Sequence, residues 1–328
     1  MSRPFAPRTR VSTYISDWMP TDDTVIPYAN YRLGGYAPSA SSAIKKFTFA
    51  TKTETVLSAT LTAEIYANVG FASTSKVFSA MGRDASSYIA IHQYLDVSNE
   101  TRTALASTLA SNSFYGAGLT NSGTAGYIAG GGANGGGTSS VPYLTRIEKF
   151  VYATESSSTT VANMSINVFA INGGNNGTTA GYLVGGFYGT TDPGRLYTNM
   201  IQKLVYASDT TVSNPASLAY ATYNNMMLSN HGTAGYITAG GNDSGAPTTN
   251  LRKIVYATDV TSDIAAGINS ANGQPTASDM QTGIGFFLGR NNAVTEVKEF
   301  NFSTEIASVS SATITNNSYG AYADYNGT

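Results

Sequence analysis

The strongest constraint on this chain is an internal repeat built around a pair of strands. Residues 126–154 have the sequence GYIAGGGANGGGTSSVPYLTRIEKFVYAT, and related segments return at residues 181–208 and 235–258. Each copy has an apolar strand that ends in two glycines, then a polar loop, then a strand that ends in an aromatic residue, Ala, and Thr or Ser. Because one such unit cannot bury both of its faces alone, tandem copies predict a protein made of units packed side by side.

The spacing of the repeat indicates the architecture. We call the strand that ends in the aromatic residue the marker strand, and its six predicted copies begin at Ile44, Ile91, Ile147, Ile201, Leu251 and Val297. Consecutive copies therefore start 46 to 56 residues apart. This period is too long for leucine-rich or ankyrin repeats and fits the blade of a β-propeller. The marker strand is largely apolar on both faces, as expected for a sheet packed between two other sheets.

Two further segments complete each unit. A short inner segment precedes the strand that ends in glycines, and an Asn- and Gly-containing turn joins the two, which is typical of a hairpin. The predicted inner segments are residues 66–72, 114–119, 168–171 and 223–228. A Thr- and Val-rich outer segment follows the marker strand, as at residues 55–61 and 159–163. We therefore predict an all-β fold, a six-bladed propeller with four strands in each blade. The lysines in the marker strands are expected to extend from the sheet edge towards solvent.

The first unit lacks an inner segment, whereas the end of the chain carries one more than its own unit needs. Residues 318–325 (SYGAYADY) follow the last outer segment and are similar to the inner segments FYGAGL and YANVGFA. We predict that this C-terminal segment pairs with residues 31–35 and closes the ring, so that no long sheet edge stays open at the junction. The predicted organisation is an extended N-terminal arm of residues 1–29, followed by a single propeller domain of residues 30–328.

The N-terminal arm falls outside the repeat. It contains Arg3, Arg8 and Arg10 and the only tryptophan of the chain, Trp18. Two interpretations are open: a strap along the side of the propeller itself, or an arm that docks on another subunit. Under the second interpretation, these four residues are the candidate partner-binding residues, since terminal segments are ordered mainly where something holds them.

Composition argues against several functional classes. The formal net charge of -2 gives no electrostatic basis for binding nucleic acid or an anionic membrane. No run of about 18 apolar residues predicts membrane insertion. The chain has no cysteine, and its two histidines, His92 and His231, are expected to be a packed or surface side chain and a solvent-exposed turn residue. No metal, cofactor or catalytic residue is therefore predicted.

Motifs for catalysis are also missing from the sequence. The glycine-rich segment 130–137 is followed by no Lys-Ser or Lys-Thr, and there is no Gly-x-Ser-x-Gly elbow. We predict that the protein is not an enzyme. A pair of carboxylates that meet across two loops is the enzymatic alternative.

The longest predicted loops leave the glycine pairs of the third, fourth and fifth units. The candidate ligand-binding residues in them are Tyr143, Tyr188, Asp192, Arg195, Tyr197, Asn242 and Asp243. Aromatic, amide and carboxylate groups together suit sugar rings and hydroxyls, or a protein surface. Solvated turns without a ligand are the alternative interpretation.

The order of elements in each unit resembles the kelch repeat of β-propellers. An inner strand, a turn, a strand that ends in Gly-Gly, a variable loop and a strand with terminal aromatic residues cover residues 30–325. One departure is clear: no tryptophan follows the marker strand in any unit. The resemblance implies a propeller that binds partners through its loops.

The tandem pattern GYxxGG…IxKFxYATxT also resembles propeller proteins of tailed bacteriophages, especially phages of cyanobacteria. This resemblance implies a structural protein of the virion, an extracellular particle. It would be a tail, neck or baseplate appendage or adaptor, docked on other virion proteins through residues 1–29. A carbohydrate- or receptor-binding propeller that contacts a host surface glycan is an alternative, and a capsid decoration protein is another.

Overall fold

The described residues of the protein form a six-bladed β-propeller. A computed structural model describes residues 28–36, 39–84, 86–106, 113–133, 142–189, 195–213, 216–219, 221–238, 240–241, 251–264, 276–290, 294–315 and 321–325. Within these ranges the secondary structure is entirely β, with 28 strands and no helix. Six four-stranded antiparallel sheets form the blades, and two pairs of short strands extend from them. The predicted fold class is confirmed.

The strands follow the same order in each blade. Blade 1 contains β1 (Ala29–Leu33), β2 (Ser41–Thr48) and β3 (Thr53–Ile65), and blade 2 contains β4 (Val69–Ala72), β5 (Lys76–Ala80), β6 (His92–Asp96) and β7 (Thr101–Ala104). Around blade 3 lie β8 (Ser113–Phe114), β9 (Ala117–Asn121), β10 (Ala125–Ala129), β11 (Gly132–Ala133), β12 (Leu144–Val151) and β13 (Ser156–Val168).

The second half of the ring repeats this order. Blade 4 and its short pair comprise β14 (Asn172–Asn176), β15 (Ala180–Val184), β16 (Phe187–Gly189), β17 (Arg195–Tyr197), β18 (Ile201–Val205) and β19 (Thr210–Ser213). Blade 5 contains β20 (Met227–Asn230), β21 (Ala234–Thr238), β22 (Leu251–Val255) and β23 (Val260–Ile264). Blade 6 contains β24 (Thr276–Asp279), β25 (Ile284–Arg290), β26 (Val294–Asn301) and β27 (Ile306–Thr313), and β28 (Ala321–Tyr325) comes last.

The C-terminal strand closes the ring as predicted. β28 is the inner strand of blade 1 and pairs antiparallel with β1, with Tyr31 opposite Ala323 and Leu33 opposite Ala321. Each of the six inner strands, β28, β4, β9, β14, β20 and β24, contacts the inner strands of both neighbouring blades. The first and last described strands therefore share one sheet, and β28 covers the edge of β1 that faces the centre of the ring.

One predicted inner segment is wrong. Residues 168–171 are not the inner strand of blade 4, because Val168 ends the outer strand β13 and Ala170 has the left-handed backbone angle φ 53°. The inner strand is β14, with the sequence NGGNN. Its residue types are poor strand formers. They are favoured here by crowding, since a Cβ atom on Gly173 would lie 2.6 Å from the Leu119 side chain of the neighbouring blade.

Packing between blades also explains why a glycine precedes the buried tyrosine in the repeated Gly-Tyr pattern. A Cβ atom on Gly126 would lie 2.2 Å from the ring of Phe71, which projects from the inner strand of the preceding blade. The tyrosines of this pattern, Tyr127, Tyr182 and Tyr236, are fully buried, as is Tyr31, which follows Asn30 at the same place in blade 1. The core therefore lies between neighbouring sheets: at the ring closure, Phe49 of blade 1 stacks on Phe286 of blade 6 with centroids 5.5 Å apart.

An ion pair joins each blade to the next at all six junctions of the described structure. At four junctions, the lysine of the marker strand pairs with a carboxylate of the following blade: Lys46–Glu100, Lys149–Asp209, Lys203–Asp259 and Lys253–Glu305. At the junction after blade 2, the cation is Lys76 of β5, which pairs with Glu155. At the closing junction the charges are reversed, with Glu299 of blade 6 bound to Lys52 of blade 1 at 2.7 Å. The expectation that these lysines extend into solvent is wrong.

In every one of these ion pairs, one of the two residues comes from the equivalent turn of its blade. The residues Lys52, Glu100, Glu155, Asp209, Asp259 and Glu305 all lie between the third and fourth strands of their blades and have φ between 48° and 56°. The strand register also corrects the predicted marker strand of blade 2, which begins at His92 and not at Ile91. In blade 2, Tyr94 is opposite Phe78, just as Lys149 is opposite Tyr127 in blade 3. Tyr94 thus occupies the lysine position, and the Lys76 ammonium lies 3.9 Å from the centre of its ring.

Candidate functional site

The loops of the propeller divide between two ends of the ring. In a four-stranded antiparallel blade, the turn after the first strand and the turn after the third strand lie at one end. The loop after the second strand and the connection to the next blade lie at the other end, which we call the loop face. The short pairs β8–β11 and β16–β17 extend the blades at the loop face. Loop faces are where propellers place their binding residues.

Aromatic rings form a nearly continuous arc across the loop face from blade 1 to the start of blade 5. This aromatic arc consists of Tyr36, Tyr66, Tyr88, Phe114, Tyr115, Tyr143, Phe169, Phe187, Tyr197 and Tyr223. Neighbouring ring centroids are 4.5 Å apart at Phe187–Tyr223 and 6.2 Å apart at Phe169–Phe187. Phe114 and Phe187 are buried, the other rings are half-buried, and Tyr36 is 41% exposed. The arc thus has a buried base and an accessible upper surface.

The connections between blades place these rings. In four successive connections an aromatic residue precedes a residue with left-handed backbone angles, as the pairs Tyr66-Ala67, Phe114-Tyr115, Phe169-Ala170 and Tyr223-Asn224. In the last three of these connections, the amide of the left-handed residue donates to the carbonyl of the left-handed residue in the preceding connection. The bonds are Tyr115 N to Ala67 O at 2.9 Å, Ala170 N to Tyr115 O at 3.0 Å, and Asn224 N to Ala170 O at 3.4 Å. A repeated backbone geometry therefore brings one ring from each connection into the arc.

This geometry explains why the sequence analysis missed part of the site. The sequence pattern places the aromatic residues Phe114 and Tyr223 in inner strands, but those strands begin later, at Ala117 and Met227. The left-handed residues Tyr115 and Asn224 interrupt the extended conformation between the ring and the strand. An aromatic residue at the start of successive inner segments was the signal in the sequence.

Arg83 lies between the rings of blades 1 and 2. Its guanidinium carbon is 5.4, 5.5 and 5.7 Å from the ring centroids of Tyr66, Tyr88 and Phe114. Its Nε group donates a long hydrogen bond of 3.4 Å to the carbonyl of Asp84. The Asp84 carboxylate instead accepts hydrogen bonds from the amides of Ser86 and Ser87, which hold the pKa of Asp84 below its usual value. Arg83 is thus a cation on the aromatic arc.

The structure brings together some of the predicted loop residues. Tyr143 stacks on Phe169 with centroids 5.2 Å apart, and Tyr197 packs 5.2 Å from Tyr223. Tyr188 is half-buried in β16, next to the arc residue Phe187. For Arg195 only the backbone, at the start of β17, is described. The other predicted site residues lie outside the described residues: Arg3, Arg8, Arg10, Trp18, Asp192, Asn242 and Asp243.

A cavity of about 220 Å³, lined by both polar and apolar residues, occupies the centre of the ring. Hydrogen bonds between inner strands pass around it, each from a backbone amide to a side chain of the next blade. They are Ala72 N to Thr120 Oγ1, Thr120 N to Asn175 Oδ1, Asn175 N to Ser229 Oγ, and Ser229 N to Ser278 Oγ, at 2.7 to 3.1 Å. These bonds satisfy amides that the strand ladders leave free and tie neighbouring blades together.

The two histidines lie in different surroundings in the described structure. His231 lines the central cavity and is half-buried, and burial lowers its pKa, so the expectation of a solvent-exposed turn residue is wrong. His92 is 2% exposed and packs edge-on against Phe150, which confirms the packed alternative. Burial lowers the pKa of His92 to about 4. Among the described residues, no group of three or more His, Cys, Asp or Glu side chains is placed to hold a metal ion.

Comparison with known proteins adds no family. The described part of the chain contains no helix that could span a membrane. No protein-family model matches the chain, and no curated protein has a significantly similar sequence. The conclusion that stands is the six-bladed β-propeller with an aromatic arc on its loop face.

Proposed function

We propose that this protein is a non-enzymatic recognition component of a bacteriophage virion, and that its aromatic arc contacts a partner surface. The observation that supports recognition is the arc itself. Its rings come from four loops and four connections between blades but share one face of one ring. Half-buried tyrosines combine an apolar ring with a hydroxyl group, which suits the faces and hydroxyls of sugars. A glycan on a host surface is therefore the proposed ligand.

The virion setting is proposed from the resemblance of the tandem units to phage propeller proteins. A protein of an extracellular particle benefits from a ring that resists local opening. The ion pairs at the junctions and the hydrogen bonds around the cavity support such a role. In this proposal residues 1–29 attach the propeller to other virion proteins as a tail, neck or baseplate appendage. Decoration of the capsid is the alternative location.

The recognition role can be tested with surface variants of the full chain. Tyr143→Ala and Tyr197→Ala remove half-buried rings of the arc, and the control Val260→Ala shortens a 58% exposed side chain on an outer strand, away from the arc. On a glycan array, and on host cells, we expect the arc variants to lose at least about tenfold in binding, as for central aromatic residues of interfaces. Equal binding by all three variants would reject the arc as the contact surface.

The virion role has its own test. Purified particles should contain the protein, and removal of residues 2–27 should abolish its incorporation while the propeller stays folded. Circular dichroism and thermal unfolding check folding of the shortened chain. Incorporation of the shortened chain at the normal level would reject docking through the arm.

A further inference from the structure

We infer that the ligand of the aromatic arc is an acidic saccharide whose carboxylate binds the guanidinium of Arg83. This inference rests on the proposed recognition function and names the chemical class of its ligand. It is carried by the surroundings of Arg83, which combine a free hydrogen-bonding edge with a platform of aromatic rings.

The hydrogen-bonding capacity of Arg83 is largely unused. A guanidinium has five N–H donors, and in the described structure only Nε of Arg83 donates, at 3.4 Å to a carbonyl. No described carboxylate forms an ion pair with Arg83, although most other described lysines and arginines are paired, as Arg32 is with Glu54 and Arg252 with Asp263. The two terminal NH₂ groups are therefore available for a bidentate bond with a carboxylate.

The rings around Arg83 orient this cation. Tyr66, Tyr88 and Phe114 surround the guanidinium at 5.4 to 5.7 Å, so packing restricts its position before a ligand binds. A partly immobilised guanidinium loses less conformational entropy on binding than a free surface arginine. Tyr36 packs against Tyr66 at 5.1 Å and is 41% exposed, so an accessible ring lies beside the cation. A ligand with an anionic group next to a ring-shaped apolar face matches this arrangement.

The number of charges favours a saccharide over the other anionic macromolecules. Among the described side chains, Arg83 is the one cation in contact with the arc, whose members are neutral aromatic residues. Nucleic acids require several cations along their phosphates. The neighbouring Asp84 carboxylate, held by Ser86 and Ser87, disfavours a second anionic group close to the first. An oligosaccharide with isolated carboxylates between neutral sugars fits this pattern of charge.

Titration calorimetry with the full chain tests the inference. The ligands are hyaluronan oligosaccharides, which carry one carboxylate per disaccharide, and the same oligosaccharides after reduction of the carboxyl groups to alcohols. The variants are Arg83→Gln and Arg83→Lys, and the matched control is Arg102→Gln, because Arg102 is also without an ion pair among the described residues but lies on the outer strand of blade 2.

We expect the native chain and the Arg102→Gln variant to bind the carboxylated form at least tenfold more tightly than the reduced form. Arg83→Gln should abolish this difference, and Arg83→Lys should restore part of it, since lysine keeps the charge but not the bidentate geometry. Equal binding of both oligosaccharides by the native chain would overturn the inference and leave the recognition function intact. If the native chain binds neither form of the oligosaccharide and no carbohydrate on a glycan array, both the inference about Arg83 and the proposed glycan recognition are rejected.

Discussion

Glu299 of blade 6 and Lys52 of blade 1 form the ion pair that joins the two ends of the ring, with charges opposite to those of the other five junctions. Elsewhere the earlier blade supplies a lysine and the next blade a carboxylate, as in Lys149–Asp209. A ring closed one blade too early would place Lys253 of blade 5 against Lys52 of blade 1. The reversal therefore favours closure by blade 6 over closure by blade 5, although the blades are otherwise similar.

Exchange of the two charges tests this relationship. Lys52→Glu places a carboxylate against Glu299 and should lower the free energy of unfolding by about 1 kcal/mol, because the pair is partly exposed. The double variant Lys52→Glu/Glu299→Lys restores opposite charges and should recover part of the loss. Urea unfolding of the native chain, both single variants and the double variant gives the coupling energy. Additive effects of the two single variants would show that the pair does not contribute.

His92 should make stability dependent on pH. Burial lowers the pKa of His92 to about 4, whereas in the unfolded chain it is near 6.5. Below pH 6.5 the unfolded state therefore binds a proton that the folded state binds only near pH 4, so this contribution to stability is complete above pH 6.5 and falls as the pH is lowered. The loss amounts to about 3 kcal/mol between these values.

Thermal unfolding at several pH values measures this effect. The variant His92→Phe replaces the imidazole with a ring that cannot be protonated, and Phe150 offers an aromatic neighbour for it. We expect the unfolding temperature of the variant to change less than that of the native chain between pH 6.5 and 4. His231→Phe is the comparison and should reduce the pH dependence less, because His231 is only half-buried whereas His92 is 2% exposed. The same pH dependence in native and His92→Phe chains would contradict the expected role of burial.

Gly126 should tolerate no side chain. The Cβ atom of Gly126→Ala would lie 2.2 Å from the Phe71 ring, and the ring is enclosed by Phe78 and Phe150. We expect a loss of about 1–3 kcal/mol in the free energy of unfolding, as for other overpacked cores. The second substitution Phe71→Leu makes room and should cost less in the Gly126→Ala background than in the native chain. Urea unfolding of the native chain, the two single variants and the double variant measures these free energies. An unchanged free energy of unfolding in Gly126→Ala would contradict this packing.

The fold could be predicted because its signals repeat. The glycine pair and the marker strand recur with a fixed order, and the extra segment at the C-terminus is similar to the inner segments. The left-handed angles of Gly34 and Gly35, φ 72° and 122°, agree with the expected exit from the sheet at a glycine pair. The repeat did not predict the inner strand β14, because its sequence NGGNN has little strand propensity. The glycines of β14 are favoured by the close approach of side chains from the neighbouring blades.

The candidate site was harder to predict than the fold. Loop composition predicts Tyr143 and Tyr197, but Phe169 and Tyr223, on which they pack, lie in connections whose sequences resemble strands. The sequence could not predict Arg83 as a site residue, because its place in the site depends on three rings that come from different segments of the chain. Contacts between distant segments thus decide the site, whereas local patterns decide the blades.

The most direct test of the closed ring uses the absence of cysteine from the chain. Ala29 and Tyr325 are opposite each other in the β1–β28 pair, so the variant Ala29→Cys/Tyr325→Cys should form a disulfide within one chain on oxidation. The control Ala29→Cys/Asp324→Cys moves the second cysteine to the other face of the sheet and should not form it. We predict a monomeric, intrachain disulfide and a higher unfolding temperature for the first pair alone. Disulfide-linked dimers, or equal crosslinking of both pairs, would contradict closure of the propeller by its C-terminal strand.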